Sequence, residues 1–244
     1  MNFDTSWTIA SKDFAVFRQK RSIIVSLVAF PLGIALGLPA VIGLVVSRDH
    51  ASYAALGPLI DSFAFFFVVE TVVLSTNLAS YSIVGEKVEK SLEPLLATPV
   101  TDSEILLGKT LAAFLPTMGA TFLGAGVFMG AIDALSRPQL GYFYYPNWSI
   151  AVFLLLVAPL ACLFSVEVNV LISAQVSDVR AAQQFGGLLV LPFAGLYVLG
   201  EIQVITLDAP TLLLLSAILI IIDVVLFFLS RATFRREEIL TRWK

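Results

Sequence analysis

Five carboxylates interrupt otherwise apolar stretches of the chain: Asp61, Glu70, Glu167, Glu201 and Asp223. No lysine or arginine stands inside those stretches to neutralise them. A charge held at the middle of a bilayer costs roughly 2.5–3.5 kcal/mol even on a lenient insertion scale. Each carboxyl must therefore be protonated, hydrogen-bonded by neighbouring helices, or open to a wet cavity. Asp61 and Glu201 fall near the ends of their stretches, where water suffices. Glu70 is central, and Asn77, seven residues on, lies on almost the same helix face, about 20° away. Asp223 shares a stripe with Ser216 and Ser230, whereas Glu167 has Asn169 nearby on a different face. Two chemistries fit Glu70, Asn77, Glu167 and Asp223. They line a path for a cationic or polar solute, or they are interhelical hydrogen-bonding groups. Pairing across a subunit interface is a third arrangement.

Other chemistries are disfavoured. Cys162 sits among Ala161, Leu163 and Phe164 and reads as a packed, inert thiol. His50 lies in a short polar loop far from it, so neither a metal site nor a Cys/His nucleophile is expected. The chain has no His-Glu-x-x-His, no Gly-x-Ser-x-Gly and no phosphate-binding Gly-x-x-x-x-Gly-Lys-Ser/Thr.

The elements that position these groups follow from composition. Of 244 residues, 58% are hydrophobic and 14% charged, and the mean hydropathy is +0.92. A soluble domain is nearer 45–50% apolar and about 25% charged. This composition excludes a soluble enzyme, a nucleic-acid binder and a disordered tail, and it makes the lipid bilayer the solvent. A helix needs roughly 20 apolar residues to cross the hydrocarbon. Six segments qualify: 23–46, 58–83, 110–132, 149–173, 186–204 and 211–230. The first is too long for a signal-peptide core and is expected to be retained. The predicted fold is an all-α integral membrane protein, a single transmembrane domain over 1–244. Within it, 1–22 precede the first span, 23–83 hold spans one and two, 110–230 hold the other four, and 231–244 form a tail. With six spans both termini share a side. That side carries Lys12, Arg18, Lys20, Arg21, Lys87, Lys90, Lys109, Arg180, Arg231, Arg235, Arg236, Arg242 and Lys244, against Arg48 and Arg137 opposite. The bias predicts cytoplasmic termini.

Residues 3–20 place Phe3, Trp7, Ala10, Phe14 and Phe17 at helical spacing, with Lys12, Asp13, Arg18 and Lys20 on the remaining surface. This predicts an amphipathic helix on the cytoplasmic interface. On the opposite side, Tyr142, Phe143, Tyr144, Tyr145 and Trp148 resemble an interfacial aromatic belt. The repeats Gly33-x-x-x-Gly37 and Gly126-x-x-x-Gly130 read as helix-packing positions, and Pro31, Pro39, Pro159 and Pro192 as kinks.

The most informative stretch is the cytoplasmic loop 84–109. Ser91 can cap a short helix over Leu92–Ala97, giving Leu92, Leu95 and Leu96 one apolar face. Thr98-Pro99 ends it, and Thr101 with Glu104 forms a capping box that starts the third span. The product is a knuckle with a leucine face and the charged flanks Glu86, Glu89 and Glu93, a shape suited to docking a cytosolic partner. The run Glu86-Lys87-x-Glu89-x-Ser91-Leu92-Glu93-x-Leu95-Leu96-Ala97-Thr98-Pro99-Val100-Thr101-x-x-Glu104-Ile105-Leu106-x-Gly108-Lys109 resembles the signature of ATP-binding-cassette type 2 exporter permeases. Lys90-Ser91 stands where that family usually has Gly-Thr. Gln175–Gln184 and Phe30-Pro31 are similar to further family segments.

The resemblance implies a multi-pass permease of the plasma membrane, and it assigns coupling to Glu86, Glu89, Leu92, Glu93, Leu95, Leu96, Pro99 and Glu104. It also implies two cytosolic ATPase subunits that carry ATP and Mg, since this chain holds no cofactor of its own. A second permease copy, or a homologous permease, would complete the assembly. The alternative is a secondary transporter or channel that uses the intramembrane carboxylates for proton or cation coupling.

Overall fold

The computed structural model describes residues 3–49, 52–53, 55–88, 98, 100–176, 178–202, 204–206 and 208–233. Among them there is helix and no strand, and six helices are long and apolar enough to cross a membrane. The element order is α1 (Phe3–Gln19), α2 (Arg21–Asp49), α3 (Gly57–Ala64), α4 (Phe66–Val88), α5 (Asp102–Leu140), α6 (Trp148–Val152), a π turn (Phe153–Val157), α7 (Ala158–Gln175), α8 (Val179–Gly187), α9 (Val190–Glu201) and α10 (Ala209–Thr233). Glu89, Leu92, Glu93, Leu95, Leu96 and Pro99 lie outside the described residues, as do His50 and most of the tail.

Three of the spans are compound. The second is α3 plus α4, interrupted at Phe65, and the fifth is α8 plus α9, interrupted at Leu188–Leu189. Pro192 falls in the first turn of α9, where its missing N–H costs nothing, so it sits at a restart rather than at a kink. In the fourth span the π turn ends just before Pro159. Proline leaves the carbonyl four residues earlier unpaired, and a wider turn is one way a helix absorbs that defect. Pro31 and Pro39 lie inside continuous α2.

The third span is the longest element. Its start is the predicted capping box: Thr101 Oγ1 accepts from the Glu104 N–H at 3.4 Å, and Glu104 Oε2 accepts from the Thr101 N–H at 2.9 Å. It ends at Gly141, whose φ of 76° lets its N–H reach the Arg137 carbonyl at 2.9 Å. α5 packs along α1, α2, α4 and α7, α4 packs on α7, and α10 packs on α7. Aromatic pairs fill the core, Phe65 with Phe153 at 5.6 Å and Phe67 with Phe128 at 5.5 Å. Cys162 is buried there as a free thiol.

The glycine repeats behave differently from expectation. A Cβ added at Gly33, Gly37, Gly126 or Gly130 would meet nothing within 4 Å, so these positions pack no helix within the described chain. The glycines that permit close approach are Gly108, Gly124 and Gly186. At Gly124 a Cβ would come 2.7 Å from Pro31 Cβ, which sets the α2–α5 spacing. The partner of each lies on another helix, so no small-residue spacing within its own helix marks the contact.

The aromatic cluster also divides. Tyr142, Phe143 and Trp148 are exposed, as a belt requires, and Arg137 covers the Phe143 ring at 4.7 Å. Tyr145 turns inward and is buried against Phe128. The backbone N–H groups of Tyr144 and Tyr145 both donate to Asp133 Oδ1, at 2.8 and 3.0 Å.

Candidate functional site

The end of the bundle that carries α1 holds a buried ionic cluster. Lys109, on the second turn of α5, has a side chain only 2% exposed. Its ammonium lies 3.0 Å from Asp13 Oδ2, 3.0 Å from Glu86 Oε2 and donates to the Ser82 carbonyl at 2.7 Å. Ser82 Oγ donates to Asp13 Oδ2 at 2.6 Å, and Lys12 reaches Glu86 Oε1 at 2.6 Å from the surface. Two carboxylates and two ammonium groups thus balance across three helices that are distant in sequence. A cavity of about 30 Å³, room for a water molecule, adjoins Lys12, Asp13, Ser82 and Glu86. Burial raises the pKa of Asp13 above the ordinary carboxylate value, while the Lys109 charge pulls it back.

This cluster corrects the expected orientation of α1. Asp13 was placed on its polar surface, yet the buried stripe is Ser6, Ile9, Ala10, Asp13 and Phe17. Phe3 and Trp7, assigned to the same apolar face as Ala10 and Phe17, are exposed and stacked on each other at 6.5 Å. The physical reason is Lys109: a buried ammonium requires a buried counter-charge, and Asp13 supplies it. Gly108 makes the approach possible, since a Cβ there would lie 2.8 Å from both Ile9 Cβ and the Ser6 carbonyl oxygen.

Of the predicted coupling residues, Glu86 and Glu104 fall within the described chain. Both are largely buried. They sit at the two ends of the undescribed loop, Glu86 in the last turn of α4 and Glu104 in the first turn of α5. Lys109 joins those two helices through Glu86. Sequence reasoning missed Asp13, Ser82 and Lys109 as a set.

Within the membrane-spanning region Glu70, Glu167 and Asp223 are buried, whereas Asp61 is half-buried and bonded by Asn147. Neither oxygen of Glu70 on α4 nor of Asp223 on α10 has a hydrogen-bond partner among the described residues, and Glu167 Oε2 on α7 has none either. Glu167 and Asp223 lie within electrostatic reach of one another. Glu70 and Asn77 do not share a site: Glu70 is fully buried, while half-buried Asn77 lines a groove of about 510 Å³ between α2 and α4 with Ser22 and Ser26.

Interhelical hydrogen bonding, one of the arrangements open to the carboxylates, is made in this region by neutral groups. Asn169 on α7 donates to Thr76 Oγ1 at 3.0 Å and to the Ser165 carbonyl at 2.8 Å, and accepts from Ser80 Oγ at 3.4 Å. Thr76 Oγ1 and Ser165 Oγ are 3.0 Å apart, and Thr71 meets Thr121 of α5 at 3.1 Å. Gly186 of α8 presses on this ladder, with no room for a Cβ between Asn169 and Thr76. The signal for Asn169 was available, because an amide in an apolar helix must find partners.

Comparison with known proteins bears on which chemistry this architecture serves. A family model described as ABC-2 family transporter protein matches residues 7–235, nearly the whole chain. No curated protein matches.

Proposed function

The chain belongs to the ABC-2 family of transporter proteins, and from that premise we propose that it is the permease of an ATP-driven exporter of the plasma membrane. In this reading the termini and the loop between α4 and α5 are cytoplasmic, and the leucine face of 92–96 docks on an ATPase chain. Two ATPase chains, holding ATP and Mg, work on two permeases, either identical or homologous. The exposed Phe3 and Trp7 of α1, with half-buried Phe14 beside them, lie in the cytoplasmic interface.

The observation that supports this reading is the tie between the two arms of the docking loop. Lys109 is ion-paired to Glu86 across the loop and to Asp13 of α1. A displacement of the loop therefore cannot be absorbed by α4 and α5 sliding independently. It moves three helices together.

The test is to purify the tagged full chain from its native membranes in mild detergent. An ABC ATPase should co-purify, with ATP hydrolysis that drives net solute transport after reconstitution. Gradient-driven flux from this chain alone would overturn the proposal in favour of a secondary transporter or channel acting through Glu70, Glu167 and Asp223. Substitution Leu95→Asp sharpens the test. A charge placed in an apolar docking face costs about 1–3 kcal/mol, or roughly fivefold to a hundredfold in an equilibrium. Transport should fall by that factor in vesicles whose permease is inserted normally. Unchanged transport-linked hydrolysis in Leu95→Asp would sink the docking assignment.

A further inference from the structure

At the end of the bundle opposite α1, a cavity of about 1090 Å³ opens between the loops that join the spans. Asp61, Asp208, Tyr142 and Tyr144 contribute its polar wall, and Leu59 and Phe153 part of its apolar wall. No lysine or arginine is among the described residues lining it. Arg137, in the last turn of α5, is engaged over the Phe143 ring at 4.7 Å.

Asp61, Tyr144 and Asp208 are held by hydrogen bonds. Asn147 caps α6 by accepting from the Ile150 N–H at 3.0 Å, which turns its amide nitrogen to donate to Asp61 Oδ1 at 2.7 Å. Tyr144 donates from its hydroxyl to the Gly57 carbonyl at 2.9 Å, anchoring its ring in the wall. Asp208 accepts from the Thr211 N–H at 3.2 Å, and hydrogen bonding from Thr211 holds its carboxyl below the usual range, so it is ionised at neutral pH. The exposed ring of Tyr142 stands at the rim.

We propose that this cavity binds a bulky organic cation, with Asp61 and Asp208 supplying counter-charge and the faces of Tyr142 and Tyr144 supplying cation–π contact. Two unbalanced carboxylates in one concavity focus a negative potential on its interior. A metal ion is a poor occupant, because calcium asks for six to eight converging oxygens and no metal-competent cluster occurs among the described residues. Apolar walls between the carboxylates instead suit a cation with a hydrophobic body. That the cavity faces the cell exterior rests on the orientation proposed above, but the binding itself does not.

The test uses the purified full chain in nanodiscs, without any ATPase, so that its failure is separable from failure of the exporter reading. The probe is tetraphenylphosphonium, measured by equilibrium dialysis against empty nanodiscs, with tetraphenylborate as a twin of like shape and opposite charge. Saturable binding of the cation and none of the anion is expected. Asp208→Asn keeps the Thr211 cap and removes only charge, and Tyr142→Leu removes only the ring face; each should weaken binding by about threefold to tenfold. Tyr142→Phe should bind as the parent does. Adding Asp61→Asn to Asp208→Asn should abolish saturable binding. Equal binding of both probes overturns the proposal, and so does parental affinity in Asp208→Asn and Tyr142→Leu proteins of unchanged melting temperature.

Discussion

Lys109→Met should destabilise the purified chain by about 3–5 kcal/mol, the usual cost of stranding buried charge by removing one partner of an ion pair. The substitution is close in volume, so the loss is electrostatic. Asp13 keeps only its bond from Ser82, and Glu86 keeps only Lys12. The companion variant separates charge from packing. Lys109→Met combined with Asp13→Leu leaves the Glu86–Lys12 pair intact and neutral, and should recover most of the lost stability, since a buried pair is commonly replaceable by apolar residues. Thermal melts of both proteins in detergent decide it. Two equally unstable variants would show that Asp13 and Lys109 do not act on each other. Acidification gives a second readout. Burial raises the folded-state pKa of Asp13 above its unfolded value, and losing Lys109 raises it further. A raised carboxyl leaves stability intact below the unfolded pKa and withdraws it as pH climbs through the folded one. The gap between Lys109→Met and the parent should therefore narrow as pH falls toward the ordinary carboxylate range.

Gly186→Ala should cost about 1–3 kcal/mol through overpacking alone, and more through the bonds it breaks. The new methyl would have to displace the Asn169 amide or the Thr76 methyl. Moving Asn169 jeopardises its bonds to Thr76 and to the Ser165 carbonyl, each worth about 1 kcal/mol, with a further penalty for any buried amide left unpaired. The spans involved are the second, fourth and fifth, so damage should appear as loss of cooperative melting. Gly33→Ala is the control: nothing lies within 4 Å of its added methyl, and the isolated chain should tolerate it within about 0.5 kcal/mol. Equal melting temperatures for the parent and Gly186→Ala would refute the packing assigned to Asn169.

What was legible in the sequence was local. Six apolar runs require six spans whatever their neighbours do, and Thr101 with Glu104 caps α5 through residues three apart. Asp13 shows the limit. Its charge marked it as surface, although Ser6, Ala10, Asp13 and Phe17 fall on one stripe at helical spacing. Only Lys109, on α5, makes that stripe a buried one, and a pairing across 96 positions leaves no trace in either segment. The helix interruptions at Phe65 and at Leu188–Leu189 were equally hidden, because apolar composition continues unchanged through both. The intramembrane carboxylates were found by composition alone. That Glu70 and Asp223 find no hydrogen-bond partner among the described residues was not foreseeable, since Ser, Thr and Asn side chains that could have served them satisfy one another.

The length of α5 has a mechanical meaning. Its 39 residues extend about 58 Å, nearly twice the hydrocarbon thickness of about 30 Å. One end carries Lys109 and the ionic knot with α1 and α4. Near the other, Asp133 grips the backbone of Tyr144 and Tyr145, beside the wall of the cavity that Tyr144 lines. A single helix thus joins the proposed docking segment to the cavity-bearing end, with no loop between them. On the proposed function, a push at one surface would reach the other as displacement along this helix, with Pro116 and Pro138 the places where it would bend.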